Sequence, residues 1–193
     1  MSIYDFNSIQ NTGNRHKVFV SYHHANDQVY RNYFEDMFAS KYSIMVSKSV
    51  QIGDIDPNLK TDTIRQKIRD EYLRDSTVTV VLIGSETWQR KHVDWEIGSS
   101  LRHTEYNPRS GVIGILLPSY PQSPFESDSY SPNTIPPRLY ENIKCGFAKL
   151  YNWTNDASLV QSWIHEAFQR RNQIIPDNSY PTFINNRTGK GWQ

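Results

Sequence analysis

The chain has 193 residues, enough for one domain with a peripheral extension and a sizeable core. Its 21 basic and 20 acidic residues leave a net charge of +1, which excludes any general attraction to nucleic acid or to an acidic membrane surface. The single cysteine, Cys145, excludes an internal disulfide and a cysteine-based zinc cluster, and is expected as a small core residue.

Residues 1–14 are polar and aperiodic, with neither a basic n-region nor an apolar h-region, so they are expected to be a loose leader and not a signal peptide. No apolar run approaches the ~20 residues of a bilayer span, and the expectation is a soluble cytoplasmic protein. His16 to Tyr22 is β-branched and aromatic and predicts a first strand. Asp27 is placed to cap the helix that follows. Tyr30, Tyr33, Phe34, Met37 and Phe38 recur at spacings of three and four and predict one aromatic helix face. Tyr42 to Val46 predicts a short second strand, and Ser47 to Asp56, with Gly53, a loop. Asp56 and Pro57 then suit the N-cap and first turn of a helix. Its buried side should carry Leu59, Ile64, Ile68 and Tyr72, and its solvated face Lys60, Asp62, Arg65, Lys67, Arg69 and Asp70.

Thr77 to Gly84 is a near-continuous β-branched run, the pattern of a central parallel strand covered on both faces. A short helix over Val93 to Arg102 and a buried strand over Gly111 to Leu117 follow. Six of the ten prolines lie between Pro118 and Pro137, which predicts an irregular surface insert over 118–137, a candidate lid or partner surface. A last strand is expected within Ile143 to Trp153, and a final helix with Leu159, Trp163, Ala167 and Phe168 on one side. Residues 172–193, punctuated by Pro, Asn and Gly, are expected as a tail. The alternation of strands and helices over 15–171 predicts a flavodoxin-like, doubly wound, parallel five-stranded α/β sheet. In that order the first and third strands flank the switch point where ligands sit, which brings Tyr22-His23-His24 beside Gly84-Ser85-Glu86.

No G-x-G-x-x-G fingerprint, Walker lysine or G-x-S-x-G elbow occurs, so kinase, dinucleotide-dehydrogenase and serine-hydrolase chemistry is not expected. The histidines at 16, 23, 24, 92, 103 and 165 lack metal-ligand spacing, and no metal site is expected. Glu96 is the candidate reactive carboxylate. It follows the predicted switch-point strand, the small residues Gly98, Ser99 and Ser100 permit close packing, and Trp88 and Trp95 offer flat surfaces. Trp88 can equally be core, and for Trp95 packing is the first reading. Arg90 and Lys91 suit a diphosphate or plain solvent, and Ser21 and Ser85 can be strand-end hydrogen bonders.

Phe19-Val20-Ser21-Tyr22-His23-His24-Ala25-Asn26-Asp27 resembles the opening strand-to-helix motif of TIR domains. Val80 to Trp88 resembles their third-strand motif. Arg90-Lys91-His92-Val93-Asp94-Trp95-Glu96-Ile97 resembles the segment that holds the family's catalytic glutamate. The wording V-L-I-G-S-x-T-W-x-R is similar in particular to the TIR-like proteins of bacterial Thoeris antiphage systems. The likeness runs over residues 15–117 and more loosely over 140–171. One departure is His92, where the family often has an aromatic residue four positions before the glutamate.

The resemblance implies cleavage of the nicotinamide–ribose bond of NAD, a substrate here and not a resident cofactor, with Glu96 as the catalytic residue. Ser21, Tyr22, His23, Ser85, Trp88, Arg90 and Trp95 are then the expected substrate contacts. It further implies an ADP-ribose-derived, cyclic signalling nucleotide that activates a separate effector, with a phage protein as trigger and self-association as a further property. Two other readings stay open: a non-catalytic TIR interaction module, and a nucleoside deoxyribosyltransferase or nucleotide N-glycosidase on a similar sheet.

Overall fold

A computed structural model describes residues 15–49, 61–105, 107–121 and 130–192. Five strands, β1 (His16–Ser21), β2 (Met45–Lys48), β3 (Val78–Ile83), β4 (Gly111–Leu116) and β5 (Ala148–Asn152), form one sheet. Every neighbouring pair is parallel and the order is β2-β1-β3-β4-β5, the flavodoxin-like winding. The helices are α1 (His24–Glu35), α2 (Thr61–Lys67), α3 (Lys91–Ser100), α4 (Pro137–Lys144) and α5 (Ala157–Arg170). Both α1 and α2 run on into wider π-helical turns, Asp36–Lys41 and Ile68–Tyr72.

Alternation along the strands sorts the core. Val18, Val20, Val78, Val80, Leu82, Ile113 and Ile115 face α1 and α5, where Phe34, Phe38, Val160, Ile164 and Ala167 pack on them. The other parity faces α3 and α4: Val81, Ile83, Val112 and Leu116 meet Val93, Ile97 and Leu139. Phe19 joins Ile64, Ile68, Leu73 and Trp95 on that same side. Every residue of β3 and β4 is buried, as parallel strands covered on both faces must be. Gly111 lets α5 approach closely, because a Cβ there would lie 2.1 Å from the Ala167 carbonyl oxygen.

Several expectations are corrected. The second strand begins three residues late, at Met45, because the π-helical turn carries the chain through Lys41. Tyr33 and Leu159 are exposed, and the buried stripe of α5 is Val160, Ile164 and Ala167, with Trp163 and Phe168 packed at its border. Cys145 is not core but exposed, just past the end of α4. Arg69 is buried rather than solvated, and its guanidinium donates to Thr104 Oγ1 at 2.8 Å. Asp27 is no cap: it lies inside α1, 1% exposed, and α1 has no side-chain cap bond. The helix over Val93 to Arg102 starts two residues earlier and ends two earlier.

The end of the proline-rich stretch is structured. A 3-10 turn spans Pro132–Thr134, Pro137 begins α4, and Ile135 and Leu139 are core residues. The last strand, Ala148–Asn152, lies within the expected stretch from Ile143 to Trp153, and Ile143 itself ends up in α4. Residues 122–129 of the insert, the leader 1–14, and Gly53, Asp56, Pro57 and Leu59 lie outside the described residues.

The segment after α5 is bound to the helices. Arg138 and Asp94 form an ion pair at 2.9 Å in which both side chains are 2% exposed. Arg138 also donates to Asn178 Oδ1 at 2.6 Å, and the Phe183 amide donates to Asp94 Oδ2 at 3.0 Å. Asn142 Nδ2 donates to the Asp177 carbonyl at 2.6 Å and accepts the Asp177 amide through Oδ1 at 3.0 Å. Asn186 Oδ1 accepts the Lys91 amide, one of the free donors at the start of α3. These bonds wrap α3 so fully that all eight residues from Val93 to Ser100 are buried.

Candidate active site

Strand parity carries Ser21 to the site. Phe19 faces Trp95 of α3, so Ser21, two residues on, faces the same helix at the C-terminal end of β1. There its Oγ donates to Glu96 Oε2 at 2.5 Å. Glu96 is 2% exposed, and burial pushes its carboxyl up to about 8, with the Ser21 hydroxyl pulling the other way. Beneath it, Ser100 Oγ donates to the Glu96 carbonyl at 2.8 Å and shares a 2.7 Å bond with Thr79 Oγ1 of β3. Thr79 and Ser100 are thereby satisfied, and the backbone of α3 is held against the sheet at the residue that carries the carboxylate.

The β1 and β3 ends are locked together by Asp27. Thr87 Oγ1 and Ser119 Oγ each donate to its carboxylate at 3.2 Å, and Thr87 Oγ1 accepts the Gly84 amide at 2.9 Å. A Cβ on Gly84 would stand 2.4 Å from Asp27 Oδ1, so only glycine lets β3 end this close to α1. Burial raises the Asp27 carboxyl, and the two hydroxyl donors oppose that rise.

Around the mouth stand three imidazoles. His24 lies between Tyr22 and His92, with ring centroids 4.5 and 4.8 Å away. His92 Nε2 is 3.2 Å from the Tyr22 carbonyl oxygen, which can only accept, so Nε2 carries the proton and Nδ1 is the bare nitrogen. Burial, with His24 nearby, lowers His92 to about 4. His23 is lowered to about 4 by burial and then by the charge of Arg90, and its Nδ1 is buried without a hydrogen-bond partner. Arg90 is engaged by Glu86 at 2.6 Å and by Gln89 at 3.0 Å, and Asn26 Nδ2 donates to the same Glu86 oxygen at 3.2 Å.

The structure therefore brings Ser21 and Glu96 into direct contact, with Tyr22 next along the chain, while Arg90 and His23 form a neighbouring group with Glu86. Ser85 is exposed at the end of β3. Trp88 is 2% exposed on the 3-10 turn Thr87–Gln89. Trp95 packs in the core with Phe19, Ile64, Ile68 and Leu73, its indole N–H donating to the Phe183 carbonyl at 2.8 Å, so its ring is spent on packing. The sequence pattern left Asp27, Glu86, Asn26 and the His24–His92 pair without site roles. A glycine directly after the strongest strand, opposite a helical aspartate, was the signal for the Asp27 lock.

Among the described residues no cluster of three or more His, Cys, Asp or Glu side chains is placed to hold a metal, and no helix is long and apolar enough to cross a membrane. A family model, Thoeris protein ThsB, TIR-like domain, matches residues 19–122, more than half of the chain. That span holds the end of β1 from Phe19, all of β2, β3 and β4, and both Ser21 and Glu96. No curated protein matches the chain.

Proposed function

From the chain's membership of the ThsB TIR-like family of Thoeris proteins, we propose that it cleaves the nicotinamide–ribose bond of NAD, with Glu96 as the catalytic residue. The observation that carries this reading is the buried carboxyl of Glu96, bonded to Ser21 at the switch point and pushed up to about 8. A carboxylate held at such a cost to the fold is the mark of a functional group. It is a poor choice for stability alone, since an apolar residue would fill the space without the penalty.

The chemistry asks for this. The nicotinamide nitrogen in NAD is cationic, so it departs neutral with the bonding electron pair, and no general acid is required. Positive charge builds on the ribose as in glycoside cleavage. A fixed carboxylate beside the ribose stabilises that charge and can hold its hydroxyls. Substrate also supplies what Glu96 lacks: a cation near a neutral buried carboxyl favours its ionised form, so binding and charging are coupled. Ser21 then holds one oxygen in place and leaves the other for the ribose. In this reading Tyr22, His23, Ser85, Trp88 and Arg90 contact the rest of the nucleotide, Tyr22 and Trp88 only once the site opens, since both are as covered as Glu96. Because Glu96 is almost wholly covered, side chains at the mouth must part for NAD to reach it.

Water taking the ribose carbon gives ADP-ribose; a nucleophile of the same nucleotide gives a cyclic product. We read the latter as the diffusible signal that activates an antiphage effector in the cytoplasm. Exclusion of water decides between them. The test is incubation of pure protein with NAD and, separately, with nucleoside monophosphates, followed by mass spectrometry. Nicotinamide with an ADP-ribose-derived partner supports the proposal. Free base from the monophosphates in preference to NAD assigns the site to a nucleotide N-glycosidase instead.

A further inference from the structure

A second site stands at the opposite edge of the sheet, where β1 and β3 begin and α5 ends. There the described residues enclose an open cavity of about 430 Å³, within the range of small-molecule sites. β1 separates it from Ser21 by five residue steps, about 17 Å at the usual strand rise, so it is distinct from the crevice at Glu96. Its charged lining is Arg15, Lys17 and Arg171 against the single carboxylate of Asp75. Asp75 lies 3.8 Å from Lys17, and both are half-exposed or more, which leaves a cationic surplus facing the cavity. His16 adds no charge at neutral pH, because burial lowers its pKa, with His165 and Arg171 adding to the effect.

Arg171 is held in place at the cavity wall, its guanidinium 4.2 Å over the Phe168 ring. A pre-positioned guanidinium and a surplus of positive charge are what a phosphate dianion requires. The Phe168 and Pro108 surfaces in the same lining suit an organic body.

We propose that this cavity binds a small phosphomonoester, its phosphate on Arg171 with Lys17 and Arg15 adding charge, and its organic part against Phe168 and Pro108. A phosphomonoester carries about −1.5 to −2 charge at neutral pH, which matches the surplus. The site is independent of what Glu96 does.

The test is an amide NMR titration of the full, isotope-labelled chain with AMP, ribose 5-phosphate, inorganic phosphate and adenosine. Saturable shifts at residues 15–17, 75–77 and 171 with both phosphomonoesters, and not with adenosine, are expected. Arg171→Glu should weaken binding about tenfold or more, and Lys17→Glu, at an exposed position, severalfold with the folded spectrum retained. Glu96→Gln should leave this affinity unchanged. Tighter binding of AMP than of ribose 5-phosphate assigns the nucleoside to the Phe168 surface; equal affinities assign recognition to the sugar phosphate. Shifts confined to Ser21 and Gly84, adenosine binding like AMP, inorganic phosphate binding as tightly as either ester, or affinity indifferent to both charge reversals would each overturn the proposal.

Discussion

Replacing Glu96 by glutamine should stabilise the fold, and by an amount that grows with pH. The carboxyl titrates at 4.5 when unfolded and at about 8 when buried beside Ser21. Its folded pKa is raised, so its favourable contribution is complete below 4.5 and is lost as pH rises towards 8. At roughly 1.4 kcal/mol per unit, the burden carried by the unmutated protein is under about 1 kcal/mol at pH 5 and about 4 kcal/mol at pH 8. Glutamine fills the same space, still accepts the Ser21 hydroxyl, and carries no such burden. For a chain of this size the gain in Tm should be on the order of 10 °C at pH 8 and a degree or two at pH 5. His23 and His92, held near 4, destabilise the fold as pH falls from 6.5 towards 4, but they do so in both proteins and cancel in the difference. Differential scanning fluorimetry across pH 5–8 reads the effect. A Tm difference that does not change with pH, or a variant less stable at pH 8, would refute the assignment of a buried, proton-binding Glu96.

Ser21→Ala removes the bond that lowers the Glu96 carboxyl; the rising limb of kcat/KM against pH should move upward, with about tenfold lower activity near neutrality for each unit moved. A limb that stays in place would free Glu96 from Ser21. Gly84→Ala should cost about 1–3 kcal/mol in chemical denaturation, because the new methyl meets the Asp27 carboxylate. Asp27→Ala in that background should recover part of the loss, and strict additivity of the two changes would count against direct contact. Arg138→Met leaves Asp94 buried and unpaired; a loss of about 3–5 kcal/mol is expected. Faster proteolysis within 176–192 should accompany it, since Asn178 and Phe183 are tied to the same pair.

The sheet was legible because its signals are local. The β-branched run at 77–84 can only be a covered strand, and strand parity then sets Ser21 on the side of α3. Glu96 was legible for the same reason, as the carboxylate on the helix after that strand. The carboxyl's partner is 75 residues away in sequence, and only the register of β1 against β3 reveals it. The C-terminal segment was illegible as anything but a tail. It has no periodicity, and it is held by side-chain bonds from Asp94, Arg138 and Asn142 that no pattern of apolar residues announces. The helix at Pro137 was hidden by its own prolines, which are tolerated in the first turn. Trp95, beside the candidate carboxylate, was legible as a packing residue more than a ligand platform, and its neighbours Phe19 and Ile68 hold it in the core.

The account turns on whether Glu96 performs the bond cleavage. The direct measurement is nicotinamide release from NAD by the unmutated protein and by Glu96→Gln, side by side, in cells challenged with phage so that any trigger is present. Release that depends on Glu96, with the variant folded and more thermostable than its parent, is the predicted result. Equal release by the two proteins would contradict it.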